Sequence, residues 1–355
     1  MRHENMTHTN LKVRNSNIEI LRILAMFMVL MLHVNFMTIG EPTTAESVTS
    51  PLPTFFRVFF QLTANIAVNL FVLISGWFGI RFSYRGLCKF LFQCIFIVTL
   101  MYLMGLCIGL TTLEPKLILE CLFLENNGWF VKAYLALFIL SPVLNVYCNN
   151  SDEALQRRIL IYFFVFQTIF GAFTMSAKFI QAGFSTFSFL GLYLLAKYMH
   201  QYGMRYTKYS KYIFIISIIG QVLWFYIPLR IGILRISYMS ILYTSPLCIT
   251  AALGLLMWFT SFKPRHNHVI NFIAASCFSV YLCHICNSWT TDWFLTQLRN
   301  IYNSYSGIKY LIAIFTFICG VFLLSILIDQ IRKLSWSLID GLRSSKKRPI
   351  TDVIQ

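Results

Sequence analysis

The first long apolar segment of the chain, residues 18–39, contains two residues that could do chemistry, Arg22 and His33, which are eleven residues apart. On an α-helix this spacing puts them within about 20° of each other around the axis and roughly 16 Å apart along it. An ionisable side chain inside a membrane is costly unless it faces a protein interior, so such a residue is a candidate for function. The spacing predicts a cation near one membrane surface and an imidazole deeper in the membrane, both facing one cavity.

Each of these side chains has a chemical and a structural interpretation. A neutral imidazole at His33 could take a proton from an alcohol, or it could hydrogen-bond a neighbouring helix and serve only packing. The guanidinium of Arg22 could bind phosphate groups, or it could reach the membrane surface and anchor the helix. Glu19 precedes Arg22 by three residues and could hold the guanidinium in place, so we count it with the substrate-binding residues.

The composition defines the elements that must position these residues. Hydrophobic residues make up 57% of the 355 residues and charged residues 12%, and the mean hydropathy is +0.67, unlike any soluble globular protein of this length. We predict an all-α integral membrane protein, a single bundle of about ten transmembrane helices, the first of which is not a cleaved signal. The predicted spans are 18–39, 56–80, 87–110, 129–147, 158–176, 183–200, 211–229, 239–261, 268–290 and 308–331.

The formal charge of +16 is distributed unevenly over the two sides of the predicted bundle. Of the 29 Lys and Arg, 21 fall on the side of the N-terminus, and this bias predicts that both termini are cytoplasmic. We interpret the basic excess as topology and lipid headgroup contact, with no nucleic-acid partner. The predicted parts are a cytoplasmic segment at 1–17, a transmembrane domain at 18–331 and a basic cytoplasmic tail at 332–355. The eight Lys and Arg residues predicted on the outer side are Arg57, Lys116, Lys132, Lys178, Arg230, Arg235, Arg299 and Lys309.

A second histidine inside a predicted span is His284. It lies sixteen residues after the start of its span near 268, and His33 lies fifteen residues after 18, so both have risen roughly 22–24 Å. We therefore predict that the two histidines share one catalytic site, with a structural role for His284 as the alternative. Cys283 and Cys286 flank it in an order that matches neither haem attachment nor a redox motif, so we predict packing cysteines and no metal.

Polar residues of the second span lie on one helix face. Asn65, Asn69 and Gly76 fall within about 40° of each other, and an unpaired amide in hydrocarbon is costly, so this face must meet protein or ligand. The amides could orient a sugar or donate hydrogen bonds to an oxyanion, or they could join helices. Ser75 beside Gly76 is a further substrate-binding candidate, although the G-x-S-x-G context of a serine nucleophile is absent.

Further candidates lie near the two membrane surfaces. Arg81, Arg85 and Lys89 emerge on the side of Arg22, where they could bind additional phosphate groups or simply mark a cytoplasmic loop. Trp129 and Lys132 lie near the outer rim. Trp129 is typical of an interfacial aromatic belt, and Lys132 is unusual enough there to be a substrate-binding candidate.

Four segments in order resemble the membrane-bound acyltransferase type 3 family, over most of the chain. The first segment resembles that family's pattern of an arginine followed, after ten residues, by a histidine. The second resembles its Ser-Gly-aromatic segment. The third resembles its span with a Trp-aromatic pair and a Ser-Pro pair, and the fourth resembles its Tyr-Leu-x-His motif. Arg81 and Arg85, with three residues between them, stand where some members carry a closely spaced arginine pair. The four segments are Ile18 to His33, Asn69 to Trp77, Gly128 to Pro142 and Ser279 to His284.

The resemblance implies transfer of an acyl group, often acetyl, from acyl-CoA to a sugar hydroxyl of a cell-surface glycan or its lipid-linked precursor. Acyl-CoA would enter from the cytoplasm with its phosphates near Arg22 and residues 81–89, and its pantetheine arm would extend toward His33. The sugar would approach from the outer side, where His33 would act as general base. The implied partners are acyl-CoA, a carbohydrate and membrane lipids, and the implied location is a bacterial inner membrane.

Two other classes of protein remain open from the sequence. A transporter or flippase for lipid-linked sugars would also use many helices and a basic cavity, although we see no convincing internal repeat. A membrane-embedded glycan polymerase is expected to carry a sizeable outer loop with catalytic charges, and the outer connections predicted here are short.

Overall fold

The structure, a computed structural model, describes residues 15–345, with side chains described as far as residue 341. Within residues 15–345 the chain forms helices and no strand, which confirms the predicted all-α membrane class. The outer parts of the two predicted terminal segments, at 1–14 and 346–355, lie outside the described residues. So do the predicted cytoplasmic charges Arg2, Lys12, Arg14, Lys346, Lys347 and Arg348.

Seventeen α-helices are numbered here in chain order, and three short segments have other helical geometry: a π-helical turn at Thr168–Phe173 and 3₁₀ turns at Gln181–Gly183 and Met204–Tyr209. The α-helices are α1 (Ser16–Val34), α2 (Phe36–Ile39), α3 (Thr44–Thr49), α4 (Pro51–Asn65), α5 (Ala67–Phe78), α6 (Tyr84–Cys107), α7 (Pro115–Cys121), α8 (Trp129–Asn150), α9 (Glu153–Gln167), α10 (Thr186–Tyr202), α11 (Ser210–Arg230), α12 (Leu234–Ile241), α13 (Pro246–Thr260), α14 (His268–Ala274), α15 (Cys277–Ile285), α16 (Ser288–Ser304) and α17 (Gly307–Ser345).

Eight helical stretches in the described part of the chain are long and apolar enough to cross a membrane. Each begins or ends within a few residues of a predicted span, because a run of about twenty apolar residues can satisfy its backbone in hydrocarbon only as a helix. The stretches are Ser16–Ile39, Pro51–Phe78, Tyr84–Cys107, Trp129–Asn150, Met204–Arg230, Leu234–Thr260, His268–Ile285 and Gly307–Gly341. The protein is therefore a multi-pass membrane protein.

The two remaining predicted spans form shorter helices. Residues 158–176 correspond to most of α9, which has 15 residues, and the π-helical turn that follows it. Residues 183–200 correspond to α10, which has 17 residues and starts only at Thr186, because Gly183 takes a φ of +102° and Ser185 caps the helix. At about 1.5 Å per residue these helices are roughly 22 and 26 Å long, less than the hydrocarbon thickness.

Helix α1 lies inside the bundle and ends one residue after His33. It packs against α4, α5, α13, α14 and α15. Asn35 breaks the helix with φ −90° and ψ −100°, and its side-chain amide donates a hydrogen bond of 2.7 Å to the Arg57 carbonyl at the end of the bundle where α4 begins. Following the predicted orientation, we call that end the outer end and the end where α1 begins the inner end.

Helix α5 packs closely against α10 at Gly76. A Cβ added to Gly76 would lie 2.6 Å from the backbone oxygen of Tyr193, so only glycine permits this approach. Helix α15 is joined to α17 by a hydrogen bond of 2.7 Å from the Ser279 hydroxyl to Asp329. Asp329 also pairs with Arg332, and both side chains are almost completely buried. These contacts fix α5 and α15, two of the helices that position the candidate site.

Candidate active site

The structure brings His33 and His284 together, as the depth argument predicted. His33 lies in the last turn of α1 and His284 in the last turn of α15. The Nδ1 atom of His33 lies 3.0 Å from the Nε2 atom of His284, which is hydrogen-bond distance. His284 is 3% exposed, and its Nδ1 lies 2.5 Å from the Val280 carbonyl oxygen in the preceding turn of its own helix.

His33 also forms part of the wall of a cavity of about 940 Å³. The cavity extends inward as far as Met26, two helical turns before His33, and its rim is formed by exposed residues of the outer end. His284 lies behind His33 and does not line the cavity. A ligand in the cavity would therefore meet the imidazole of His33 and not that of His284.

Aromatic side chains form much of the cavity wall. Trp129 lies at the start of α8, where its ring contacts Phe184 with centroids 4.6 Å apart and stacks on Tyr243 at 6.1 Å. Tyr281 and Phe130 line the same cavity, with ring centroids 5.8 Å apart. Apolar walls with a few polar groups are typical of small-molecule sites. The predicted candidate Trp129 thus lies at the cavity, in addition to being near the membrane surface.

The polar part of the cavity rim includes residues that the sequence analysis did not select. Glu120 is buried, and its carboxylate accepts hydrogen bonds from the backbone N–H of Ser288, at 2.7 Å, and from the Ser288 hydroxyl. The side-chain amide of Asn127 donates to the carbonyl oxygens of Glu120, at 2.8 Å, and Cys286, at 2.7 Å. A signal existed for Asn127, which belongs to the polar run Glu125-Asn126-Asn127 just before Trp129, whereas Glu120 stands among apolar residues.

The charged residues that line the cavity are mostly acidic. Glu41, Glu120, Glu125 and Asp292 line it, with Lys116 as the one basic side chain among the described lining residues. Partial burial raises the pKa of Glu41 above its ordinary value, because burial disfavours the charged carboxylate. The outer cavity therefore has an acidic character although the chain as a whole is strongly basic.

Arg22 lies one helical turn below the inner limit of the cavity. Its guanidinium donates a hydrogen bond of 2.7 Å to Glu19, as the spacing of three residues predicted, and Glu19 is buried whereas 31% of the Arg22 side chain is exposed. Arg22 does not line the cavity. The common face of Arg22 and His33 therefore leads from the inner end toward the cavity, whose lining residues on α1 begin only at Met26.

Four aromatic rings pack together beside the cavity, and two of them, Phe130 and Phe278, line it. Phe130 at the cavity stacks on Tyr134 with centroids 5.8 Å apart, Tyr134 contacts Phe90 at 5.6 Å, and Phe90 stacks on Phe278 at 5.9 Å. We call Phe90, Phe130, Tyr134 and Phe278 the aromatic layer. The hydroxyl of the predicted candidate Ser75 lies 3.1 Å from the Tyr134 hydroxyl, so Ser75 contacts this layer and not the cavity.

The two asparagines of the second span use their side-chain amides within the protein. Asn65 donates a hydrogen bond of 2.6 Å to the carbonyl of Ile241, and Asn69 donates one of 2.9 Å to the carbonyl of Tyr243. Both carbonyls border the irregular connection between α12 and α13. Asn65 also lines the cavity, whereas Asn69 does not. Their donor groups therefore hold this connection in place. This is the second of the two interpretations given above, in which the amides join helices.

The remaining candidates lie at the two ends of the bundle. Arg81, Arg85 and Lys89 are exposed at the inner end, where Arg85 pairs with Asp340 of α17. Lys132 is exposed and donates a hydrogen bond to a backbone carbonyl, that of Glu125, outside the cavity lining. Within residues 15–345, no group of three or more His, Cys, Asp or Glu side chains is arranged to hold a metal ion.

Comparison with known proteins adds one finding. A family model described as the acyltransferase domain of the acyltransferase 3 family matches residues 15–330. The match starts just before α1 and ends in α17, so it includes both histidines, the cavity and Arg22. No curated protein and no solved structure matches the chain.

Proposed function

The chain belongs to the acyltransferase 3 family, and from that premise we propose that it transfers an acyl group, acetyl in the simplest case, from acyl-CoA to a hydroxyl group of a cell-surface glycan or its lipid-linked precursor. The observation that carries the proposal is the position of His33 on the cavity wall, on the same helix face as Arg22. The first residue offers a base to a ligand from the outer end, and the second offers a cation at the inner end.

His33 is the general base in this proposal. Its imidazole takes the proton of the sugar hydroxyl while the oxygen attacks the thioester carbonyl, the C–S bond breaks, and the proton passes to the departing thiolate. The products are an ester and free coenzyme A. A positioned base contributes about 10²–10⁴ in rate. Burial of the thioester above the aromatic layer would exclude water and limit hydrolysis.

The donor occupies the inner end in this proposal. Arg22 would bind phosphate groups of coenzyme A, because its guanidinium matches phosphate geometry, and Glu19 keeps it in place at 2.7 Å. Arg81, Arg85 and Lys89 would add positive charge for the nucleotide. In this proposal the pantetheine arm passes the aromatic layer, and the rings separate when the donor binds.

The acceptor occupies the outer cavity. Stacked aromatic rings such as Trp129 and Tyr243 offer flat apolar faces for a sugar ring, and the polar rim offers hydrogen bonds to hydroxyl groups. Four acidic lining residues against one lysine disfavour an acceptor with carboxylate or phosphate groups close to the reacting hydroxyl. We therefore propose that the acylated sugar unit is uncharged or carries an amine.

The proposed surroundings are a bacterial inner membrane, with acyl-CoA, a carbohydrate acceptor and membrane lipids as partners. The eight long apolar helices support a membrane location, and cytoplasmic acyl-CoA with an outward-facing glycan would use the two ends of such a bundle. Resident metal ions have no part in the proposed reaction.

The test uses purified protein in liposomes with radiolabelled acetyl-CoA. The acceptor is the lipid-linked saccharide fraction of cells that lack this protein, because that fraction has not received the group. We expect label in the saccharide with the wild type and a rate about 10²–10⁴ lower with His33→Ala. The matched control is His266→Ala, an exposed loop histidine, which should keep full activity. Full activity of His33→Ala would overturn the assignment of the base.

A transporter or flippase for lipid-linked sugars is the second candidate, since a cavity of about 940 Å³ could also hold a sugar during transport. Covalent transfer separates the two functions. Label that remains in acetyl-CoA, together with movement of the lipid-linked saccharide between leaflets, would support transport and contradict the acyltransferase.

A further inference from the structure

The geometry points to His284 as the positioning residue of the general base: its Nε2 accepts the Nδ1–H of His33, which leaves the Nε2 of His33 unprotonated and available to the acceptor. This inference rests on the proposed function, because it concerns how His33 becomes a base. In the neutral pair, two of the four ring nitrogens carry a proton, the Nδ1 of His33 and the Nδ1 of His284.

The carbonyl oxygen of Val280 determines which ring nitrogen of His284 carries the proton. A backbone carbonyl oxygen can only accept a hydrogen bond, and it lies 2.5 Å from the Nδ1 of His284. The Nδ1 of His284 therefore carries a proton and donates it to this carbonyl. In a neutral imidazole only one nitrogen is protonated, so the Nε2 of His284 has a lone pair and is an acceptor.

The neutral form of His284 follows from its surroundings. The side chain is 3% exposed and lies inside the stretch His268–Ile285, one of the apolar membrane stretches. A buried cation without a counterion is costly, and the ring contacts of His284 are to Phe294, with centroids 5.0 Å apart, and to Tyr281, at 6.4 Å, besides His33. These contacts supply no negative charge.

The lone pair on His284 in turn determines which ring nitrogen of His33 carries the proton. The Nδ1 of His33 lies 3.0 Å from the Nε2 of His284, and because that Nε2 is an acceptor, the Nδ1 of His33 must be the donor. In neutral His33 the Nε2 then has the free lone pair. His33 lines the cavity and His284 does not, so the free lone pair belongs to the residue that a ligand can reach.

The position of His284 is fixed on both sides along the chain. Before it, the Ser279 hydroxyl bonds to the buried Asp329 of α17 at 2.7 Å. After it, Asn127 donates to the Cys286 carbonyl at 2.7 Å, and the carboxylate of Glu120 accepts from the Ser288 N–H at 2.7 Å. Side chains from three parts of the chain therefore set the orientation of a ring that itself touches no cavity.

During the reaction, the hydrogen bond from the Nδ1–H of His33 to the Nε2 of His284 becomes stronger. When the Nε2 of His33 takes the proton of the acceptor hydroxyl, the ring becomes a cation, and its Nδ1–H becomes a charge-assisted donor to His284. Such hydrogen bonds are shorter and stronger than neutral ones, so His284 stabilises His33 more after proton transfer than before it. Since the gain comes in the transition state, it raises kcat and leaves the donor KM unchanged.

Kinetics of His284 variants test this role. We expect His284→Ala to lower kcat by about 10²-fold with an unchanged KM for acetyl-CoA, because the His33 ring loses its fixed orientation. His284→Gln places an amide oxygen near the former Nε2 and should recover at least about tenfold of that loss. The variant His33→Ala/His284→Ala should be no slower than His33→Ala alone, because the two residues act as a unit.

The outcomes are decisive in both directions. A folded His284→Gln protein that is no faster than His284→Ala would overturn the positioning role, and so would a fully active His284→Ala protein. The variant His268→Ala, at the exposed first residue of α14, is the matched control and should keep wild-type kinetics. Melting temperature and elution volume in detergent identify variants that fail to fold.

A measurement without any variant or substrate tests the proton positions. The chain has seven histidines, and the residue before His33 is the only leucine that precedes a histidine, just as Cys283 is the only such cysteine. Carbon-13 leucine or cysteine combined with nitrogen-15 histidine therefore selects His33 or His284 in solid-state NMR of the protein in lipid.

We expect a protonated Nδ1 and a bare Nε2 at both residues. A proton on the Nε2 of His33 at neutral pH would overturn the inference whatever the activity of the variants. If instead the proton positions are as expected and His33→Ala keeps full activity, the proposed base is wrong while the hydrogen-bonded histidine pair stands.

Discussion

The two ends of the bundle differ in whether their candidate functional groups are available to a ligand or already paired within the protein. At the outer end, His33 faces an open cavity of about 940 Å³, and its hydrogen bonding to His284 leaves one ring nitrogen available. At the inner end, Arg22 already binds Glu19, and Arg85 already binds Asp340. The outer site is formed before a ligand arrives, whereas the inner charges must exchange a protein partner for a ligand.

Helix α17 likewise makes two kinds of charged contact, one buried inside the bundle and one at its inner surface. Asp329 and Arg332 are buried, and Asp329 connects α17 to α15, the helix that carries His284. Asp340 is partly exposed and pairs with the largely exposed Arg85 at the inner surface. We infer that the first pair serves the fold and that the second can open for a donor.

The largest effect is expected for the buried ion pair. Arg332→Ala should destabilise the protein by up to about 3–5 kcal/mol, because the buried Asp329 carboxylate loses its buried partner and keeps only the partly exposed Lys333, at 3.5 Å. The exposed matched variant Arg85→Ala should cost less than about 1 kcal/mol. Thermal unfolding in detergent measures both, and similar melting temperatures for the two variants would contradict the distinction.

A second prediction concerns the cation at the inner end. Arg22→Ala should raise the KM for acetyl-CoA about tenfold or more with little change of kcat, because a charge-assisted contact to phosphate contributes about 1.5–3 kcal/mol to binding. The control is Arg158→Ala, an exposed arginine in the second turn of α9. An unchanged donor KM in Arg22→Ala would remove Arg22 from the donor site.

The third prediction concerns helix packing next to the aromatic layer. Gly76→Ala should destabilise the protein by about 1–3 kcal/mol, because the new Cβ would lie 2.6 Å from the Tyr193 backbone oxygen. Gly320→Ala in α17 is the matched control, since a Cβ there meets nothing within 4 Å. That control should be neutral or stabilising by up to about 1 kcal/mol, because alanine favours helix more than glycine does.

The smallest expected effect concerns the acidic rim of the cavity. Asp292→Lys should lower the KM for an acceptor with a carboxylate near the reacting hydroxyl by a factor of about two to five, since exposed charges contribute less than about 1 kcal/mol. The change should disappear at about 1 M salt, where screening acts over roughly 3 Å. A preference for anionic acceptors in the wild-type protein would contradict the proposed acceptor class.

The sequence predicted those parts of the site that depend on one helix. The face shared by Arg22 and His33 follows from their spacing alone, and the Glu19 contact follows from a spacing of three residues. The equal depth of His284 was also predictable, because it needs only the start of two spans. These features are local, so periodicity determines them.

The rest depends on contacts between distant parts of the chain. The 3.0 Å contact of His33 with His284 joins residues 251 positions apart, and no single-helix pattern gives a side-chain rotation. The breaks at Asn35 and between α14 and α15 arise inside apolar runs that read as continuous spans. Glu120 lies in the seven-residue helix α7 and Asn127 in the loop that follows, and such short or irregular segments carry little periodicity.

The most direct test of the account uses sealed membrane vesicles of known orientation, checked by protease access to the C-terminal tail. Acetyl-CoA, which does not cross a membrane unaided, is supplied on one side only, and acylation of the lipid-linked saccharide is measured. We expect transfer when the donor is on the Arg22 side, with the acylated sugar exposed on the opposite side. Equal transfer with the donor supplied only on the cavity side would contradict it.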